Sequence, residues 1–208
     1  MRSVFLLPFL IALALTGPAG AGAFEDGQAA YQKGDYASAL GFWRPLADDG
    51  DANAQFGMAV SHDLGRGVAQ DHAAAVLWYR KAADLGHANA QHNLASLYDE
   101  GLGVEPDYAT AAALVWFRRA AAQGYAASQC SLGVMYALGR GLRRDDIEAY
   151  KWLTLALAAY APTQTEQRDQ AKKNRDLVAL RLTPHQMAQA ERHARDFQSN
   201  PEPSLSRP

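Results

Sequence analysis

The sequence predicts an all-α protein, a right-handed α-solenoid of helix-turn-helix repeats with a C-terminal helical cap. Two recurring blocks and one recurring residue carry that reading. Ala52-Asn53-Ala54-Gln55 returns as Ala88-Asn89-Ala90-Gln91 and, more loosely, as Ala126-Ala127-Ser128-Gln129. Gly65-Arg66-Gly67-Val68 returns as Gly101-Leu102-Gly103-Val104 and Gly139-Arg140-Gly141-Leu142, and a tryptophan follows each time, at Trp78, Trp116 and Trp152. Self-similarity at a fixed period of this size means stacked units, each burying its apolar face on the next.

The first 23 residues read as an address. Arg2 supplies the positive start, Val4 to Leu15 the apolar stretch, and Ala21-Gly22-Ala23 a small-residue cleavage site before Phe24. The stretch is too short, and too interrupted by Pro8, for a committed transmembrane helix of roughly 20 residues. Cleavage after Ala23 is expected, leaving a periplasmic or secreted chain with no stable membrane insertion. Residues 24–50 read as a divergent first unit, with a tight turn at Gly34 and Phe42-Trp43-Arg44-Pro45-Leu46-Ala47 in the second-helix position. Pro45 there predicts a kink or a restart.

Residues 51–160 form three units, 51–87, 88–125 and 126–160. In their first helices Ala54, Met58 and His62 share a stripe, matched by Ala90, Leu94, Tyr98 and by Ser128, Leu132, Tyr136. Gly65, Gly101 and Gly139 end these helices, because glycine enters the left-handed cap conformation without steric cost. Asp71, Asp107 and Asp145, four residues after the second turn glycine, suit N-caps of the second helices. There Ala74, Trp78 and Ala82 make one stripe, and Leu114, Trp116 and Ala120 to Ala122 do the same, with two extra residues between Asp107 and Trp116. Large rings facing alanines read as core packing between units.

After Tyr160 the pattern stops. Thr163-Gln164-Thr165-Glu166 reads as a capping box opening a polar helix to about Leu180, and Thr183-Pro184-His185-Gln186 opens another. These helices, within 161–198, would cover the open end of the stack. Residues 199–208 hold three prolines and three serines and read as a disordered tail.

Composition excludes several functions. Loss of Arg2 with the leader leaves 19 basic against 22 acidic side chains, a formal charge of −3, too weak for nucleic acid as the main partner. Cys130 is the single cysteine, so no intramolecular disulfide forms. It reads as a small buried apolar residue, with an intermolecular bridge as the alternative. Gly65-Arg66-Gly67 lacks the lysine-serine or lysine-threonine of a phosphate loop and joins two helices. No histidine pair stands at i, i+4, and neither a serine with lysine three residues on nor a G-x-S-x-G elbow is present. The residues give no positive reason for an enzyme, and no cofactor or metal is expected.

Together these residues resemble the Sel1-like repeat family, relatives of the tetratricopeptide repeats. Ala90, Leu94, Tyr98, Gly101, Gly103, Val104, Asp107, Trp116, Ala120, Ala121 and Gly124 carry the family pattern in one unit. Ala54, Met58, Gly65, Gly67, Val68, Asp71, Trp78, Tyr79, Ala82, Ala83 and Gly86 carry it in the unit before, with His62 where the family has tyrosine. Residues 24–50 look more like a tetratricopeptide unit. The resemblance implies an adaptor holding a protein or peptide partner on the concave face lined by first helices. Some cysteine-rich relatives carry a disulfide in every repeat; this chain lacks those cysteines.

On that face the candidate partner-binding residues are Gln55, Phe56, Gln91, His92, Asn93, Ser96, Gln129 and Cys130, with Asp63 and Asp99 nearer the rim. Phe56 stands out because its aligned neighbours are histidine and cysteine. The expectation is an exported adaptor of the cell envelope. A self-assembling structural element is the alternative, and an envelope hydrolase a more distant one.

Overall fold

The computed structural model describes residues 22–105 and 109–200, which hold ten α-helices. The helices are α1 (Ala23–Gln32), α2 (Tyr36–Asp48), α3 (Ala52–Leu64), α4 (His72–Asp84), α5 (Ala88–Glu100), α6 (Ala109–Ala122), α7 (Ala126–Leu138), α8 (Asp146–Ala159), α9 (Thr165–Ala179) and α10 (Pro184–Ser199). Residues 1–21 of the expected leader, the Asp107 cap and residues 201–208 of the expected tail lie outside the described residues. Helices pair as α1–α2, α3–α4, α5–α6 and α7–α8, and each pair packs on the next through α2–α3, α4–α5 and α6–α7.

Side-chain caps and left-handed glycines set the helix ends. Asp35, Asp51, Asp71 and Asp145 each accept a backbone N–H two or three residues on, which satisfies donors the first turn leaves orphaned. α2 runs unbroken through Pro45 to Asp48, so the expected restart does not occur. The ring stands in the last turn, where a missing N–H costs the helix little continuity.

The second glycine of each turn answers to the preceding unit. A Cβ on Gly103 would meet the His72 backbone at 2.4 Å, one on Gly67 would meet Tyr36 at 2.9 Å, and one on Gly141 would meet Thr110 at 2.8 Å. Each turn therefore seats directly on the start of the second helix one unit back.

The first-helix stripes are buried as expected, with Ala54, Met58, Ala90, Leu94, Ser128 and Leu132 sealed from solvent. In α6 the expected Trp116 and Ala120 to Ala122 are buried, but in α4 the stripe is rotated by one residue from its expected position. Ala75, Tyr79, Ala82 and Ala83 are buried, while Ala74 and Trp78 are only partly so. The knob of each unit is the residue after the aligned aromatic: Trp43, Tyr79, Phe117, Leu153. Its size matches what faces it. The Trp43 ring fills the space against Gly57, where a Cβ would come within 2.7 Å, and Tyr79 meets Asn93 at the same position one unit on. Trp116 and Trp152 are buried in the core beside this row, as expected, and Trp78 only partly; Lys81 lies 3.9 Å from the Trp78 ring centre and Arg119 4.6 Å from that of Trp116.

An arginine–tyrosine pair repeats between units. Arg80 on α4 donates to the Tyr98 hydroxyl on α5, and Arg118 on α6 to that of Tyr136 on α7. In the first unit His62 replaces the tyrosine, and its buried Nδ1 has no partner among the described residues.

The last two helices pack on α8, and α9 also reaches α7. Phe197 of α10 meets Trp152 edge-on, with ring centres 5.0 Å apart, and Val178 and Ala190 join Tyr150 and Leu153 in one cluster. Arg181, between the two helices, donates to Asp146 at the start of α8 at 2.6 Å. The Thr183–Gln186 capping box forms on α10 as expected. The one expected at Thr163 does not: α9 opens on Gln164, whose Oε1 accepts the Ala161 N–H instead, and Arg168 donates to the Leu157 and Tyr160 carbonyls. These tethers hold the chain end so that the helix starts one residue later.

Candidate interaction surface

The three glutamines of the recurring block face inward. Gln55, Gln91 and Gln129 are buried, and each donates its side-chain N–H to the carbonyl eight residues earlier, Ala47, Ala83 and Ala121, at 3.0–3.1 Å. They fasten the last turn of one second helix to the next first helix. Each of these carbonyls also accepts the N–H of the turn glycine three residues on (Gly50, Gly86, Gly124), so the glutamine occupies its second lone pair.

Asp63 is also engaged. It accepts the Tyr79 hydroxyl through Oδ2 at 3.1 Å and lies 3.1 Å from His72 Nδ1 through Oδ1, while Asn93 donates to the Tyr79 oxygen at 2.9 Å. Burial, first, and the neighbouring Asp63 charge, second, push the Tyr79 phenol far above its ordinary range. The phenol is neutral at pH 7, and the hydrogen bonds among these four side chains join α3, α4 and α5. Asp99 pairs with Arg140 of the next turn at 2.9 Å.

Phe56 is partly buried in the junction between units. Its ring stacks on His87 with centres 4.6 Å apart. His87 itself caps α5, accepting the Ala90 N–H at its Nδ1, a role the sequence did not disclose because histidine is an uncommon cap. His92 sits one unit on, 2.9 Å from the Ser128 hydroxyl and tilted against Phe117 and Tyr125. Burial lowers its pKa to about 4, so it stands neutral at pH 7. The Ser96 hydroxyl donates to the His92 carbonyl. Cys130 is partly buried against Tyr160, Ala171 and Val178, and burial raises its thiol pKa. α9 thus covers the last of the first-helix positions proposed from sequence.

What stays open on this side is a row of aligned residues and a patch beyond it. Val60, Ser96 and Val134 share one position in three successive units and are each partly exposed. Val134 then lines a groove of about 190 Å³ with Ala137, Leu138 and Leu177. Leu138 is 64% exposed, Leu177 60% and Leu180 84%. The sequence signal for this patch was Leu177 and Leu180 at the end of a mostly polar helix. Among the described residues no cluster of three or more histidine, cysteine or carboxylate side chains could hold a metal, and no helix is long and apolar enough to cross a membrane.

A family model for the Sel1 repeat matches residues 52–87, 88–125 and 126–159. The chain belongs to the Sel1 repeat family. Two solved structures of this repeat class are similar to it. One is c5321, described as a protective antigen present in uropathogenic Escherichia coli strains and displaying an SLR fold, at 27% identity and a TM-score of 0.56. That alignment covers 88% of this chain and 46% of c5321, so the chain spans about half the length of that protein. The other is a Sel1 repeat protein from Oxalobacter formigenes, at 31% identity and a TM-score of 0.53, covering 62% of this chain and 95% of that one. No curated protein matches the chain. Sel1 repeats commonly mediate protein–protein interaction and are typically non-catalytic.

Proposed function

We propose that this Sel1 repeat chain is an exported adaptor of the cell envelope that binds a protein or peptide partner. The observation that carries the reading is the apolar patch of Leu138, Leu177 and Leu180, which continues the open first-helix row through Val134. Solvated leucines grouped on one side, rimmed by polar residues, mark an interaction surface more often than chance exposure does. Export rests on the leader expected in residues 1–23.

The test compares capture from envelope extract by the tagged mature chain with capture by Ser96→Arg and by Leu177→Glu, each first checked for parental melting. Retention of one protein by the parent and its loss from both variants is the expected outcome. Equal retention by all three moves the site off this face. A concentration-dependent rise in mass that Leu177→Glu removes, with nothing captured, favours self-assembly instead. For export, N-terminal sequencing of periplasmic material is expected to begin at Phe24, and an intact Met1 start there refutes the cleavage.

A further inference from the structure

The repeat supplies its own reference for the acceptor that Gln55 and Gln129 both leave unpaired among the described residues. Gln91 uses both ends of its side-chain amide: Nε2 donates to the Ala83 carbonyl, and Oε1 accepts from Gln123 Nε2 at 2.8 Å. Gln123 stands seven residues after Trp116, at the end of the second helix. One unit on, Gln129 repeats the first bond, donating to Ala121, but its Oε1 has no partner among the described residues although the side chain is only 3% exposed. Seven residues after Trp152 the chain has Ala159, which cannot reach it. A pocket of about 280 Å³ opens there, lined by Gln129, Leu155, Ala158, Ala159 and Phe197, with Gln123 and the exposed Gln198 also on its wall.

We propose that this pocket binds a primary carboxamide, the side chain of a glutamine presented by a partner segment. Its N–H would meet Gln129 Oε1 as Gln123 meets Gln91, and its two methylenes would lie against Leu155, Ala158 and the Phe197 ring. A buried acceptor without a donor is costly, so a ligand supplying an N–H gains what solvent supplies poorly. The apolar walls favour a short aliphatic stem over a charged one. The proposal does not depend on the leucine patch: the pocket lies where α6 and α8 end beside α10, and its test uses no extract.

The test is a ¹⁵N-resolved NMR titration of the full mature chain with propionamide, which reproduces the glutamine side chain, and with 2-butanone, its shape-matched counterpart lacking the N–H. The Gln129 side-chain amide signals are expected to shift saturably with propionamide and at least fivefold less with 2-butanone. Ala159→Gln, which rebuilds the Gln123 contact from within, is expected to raise the melting temperature and abolish the response. Ala159→Met, which fills the space without a donor, is expected to abolish the response without that rise. Equal shifts with both probes, no shift at all, or a response surviving Ala159→Gln overturns the proposal. A response seen only after residues 201–208 are removed overturns it too, since the chain's own end would then be the occupant.

Discussion

Gln91 donates its side-chain N–H to the Ala83 carbonyl 3.0 Å away, joining the end of α4 to the start of α5 inside the stack. Gln91→Leu keeps the bulk and removes the donor, leaving the Ala83 carbonyl with only the Gly86 N–H and the Gln123 amide without its partner. We expect a loss of about 1–3 kcal/mol in urea unfolding, with an unchanged denaturant slope. A loss under about 0.3 kcal/mol would show that the bond does not fasten the units.

The Asp63–Tyr79–Asn93 chain is expected to be coupled. Tyr79→Phe removes the hydroxyl shared by both neighbours, and Asn93→Ala removes one donor to it. A double-mutant cycle should return a coupling energy of about 0.5–1.5 kcal/mol. Additive effects would mean that the two contacts contribute independently.

Gly103→Ala tests the seating of a turn on its neighbour. Gly103 has φ +67°, and a Cβ there would sit 2.4 Å from the His72 backbone. Strain and clash together are expected to cost about 2–4 kcal/mol. Gly124→Ala, with a similar φ of +83° and open space around it, should cost less. Equal costs would assign the whole effect to backbone conformation.

Stability should depend on pH through His92. Burial lowers its pKa to about 4 in the folded chain, against about 6.5 unfolded. Above pH 6.5 neither state binds the proton. As pH falls from 6.5 toward 4 the unfolded chain takes it up and the folded chain does not, so stability declines, then levels off for this group below pH 4. His87, also lowered chiefly by burial, acts in the same direction. Since His92 keeps some solvent access, the decline is expected on the order of 1–2 kcal/mol, less than the full shift implies. Melting between pH 7 and 4.5 is expected to flatten in His92→Gln, and an unchanged profile would locate the dependence elsewhere.

Leu85→Gln places an amide where Gln123 stands one unit later. Gln55 Oε1 is buried without a donor among the described residues, and Leu85 is exposed. A gain of about 0.5–1.5 kcal/mol is expected if the new side chain completes the bond. A loss in thermal melts would show that the two junctions differ in geometry.

The sequence by itself determined the repeat, its period, the turn glycines and the first-helix core. Those features depend on local rules that each unit obeys separately: a left-handed cap that suits glycine, and a 3.6-residue stripe of small and aliphatic side chains. Only the tertiary structure decided which face each of the other residues serves. Gln55, Gln91 and Gln129 looked like open positions because glutamine is usually solvated, yet stacking brings each beside a helix-end carbonyl of the preceding second helix, to which it donates. The knob at Tyr79 and Phe117, one residue after the tryptophans, was hidden because two adjacent aromatics read alike until the neighbouring unit selects one. Cys130 lost its exposure to α9, whose place depends on Arg168 and Arg181 tethers between residues far apart in the chain. Contacts between units lie beyond any single period, and they divide the buried row from the surface that a partner can reach.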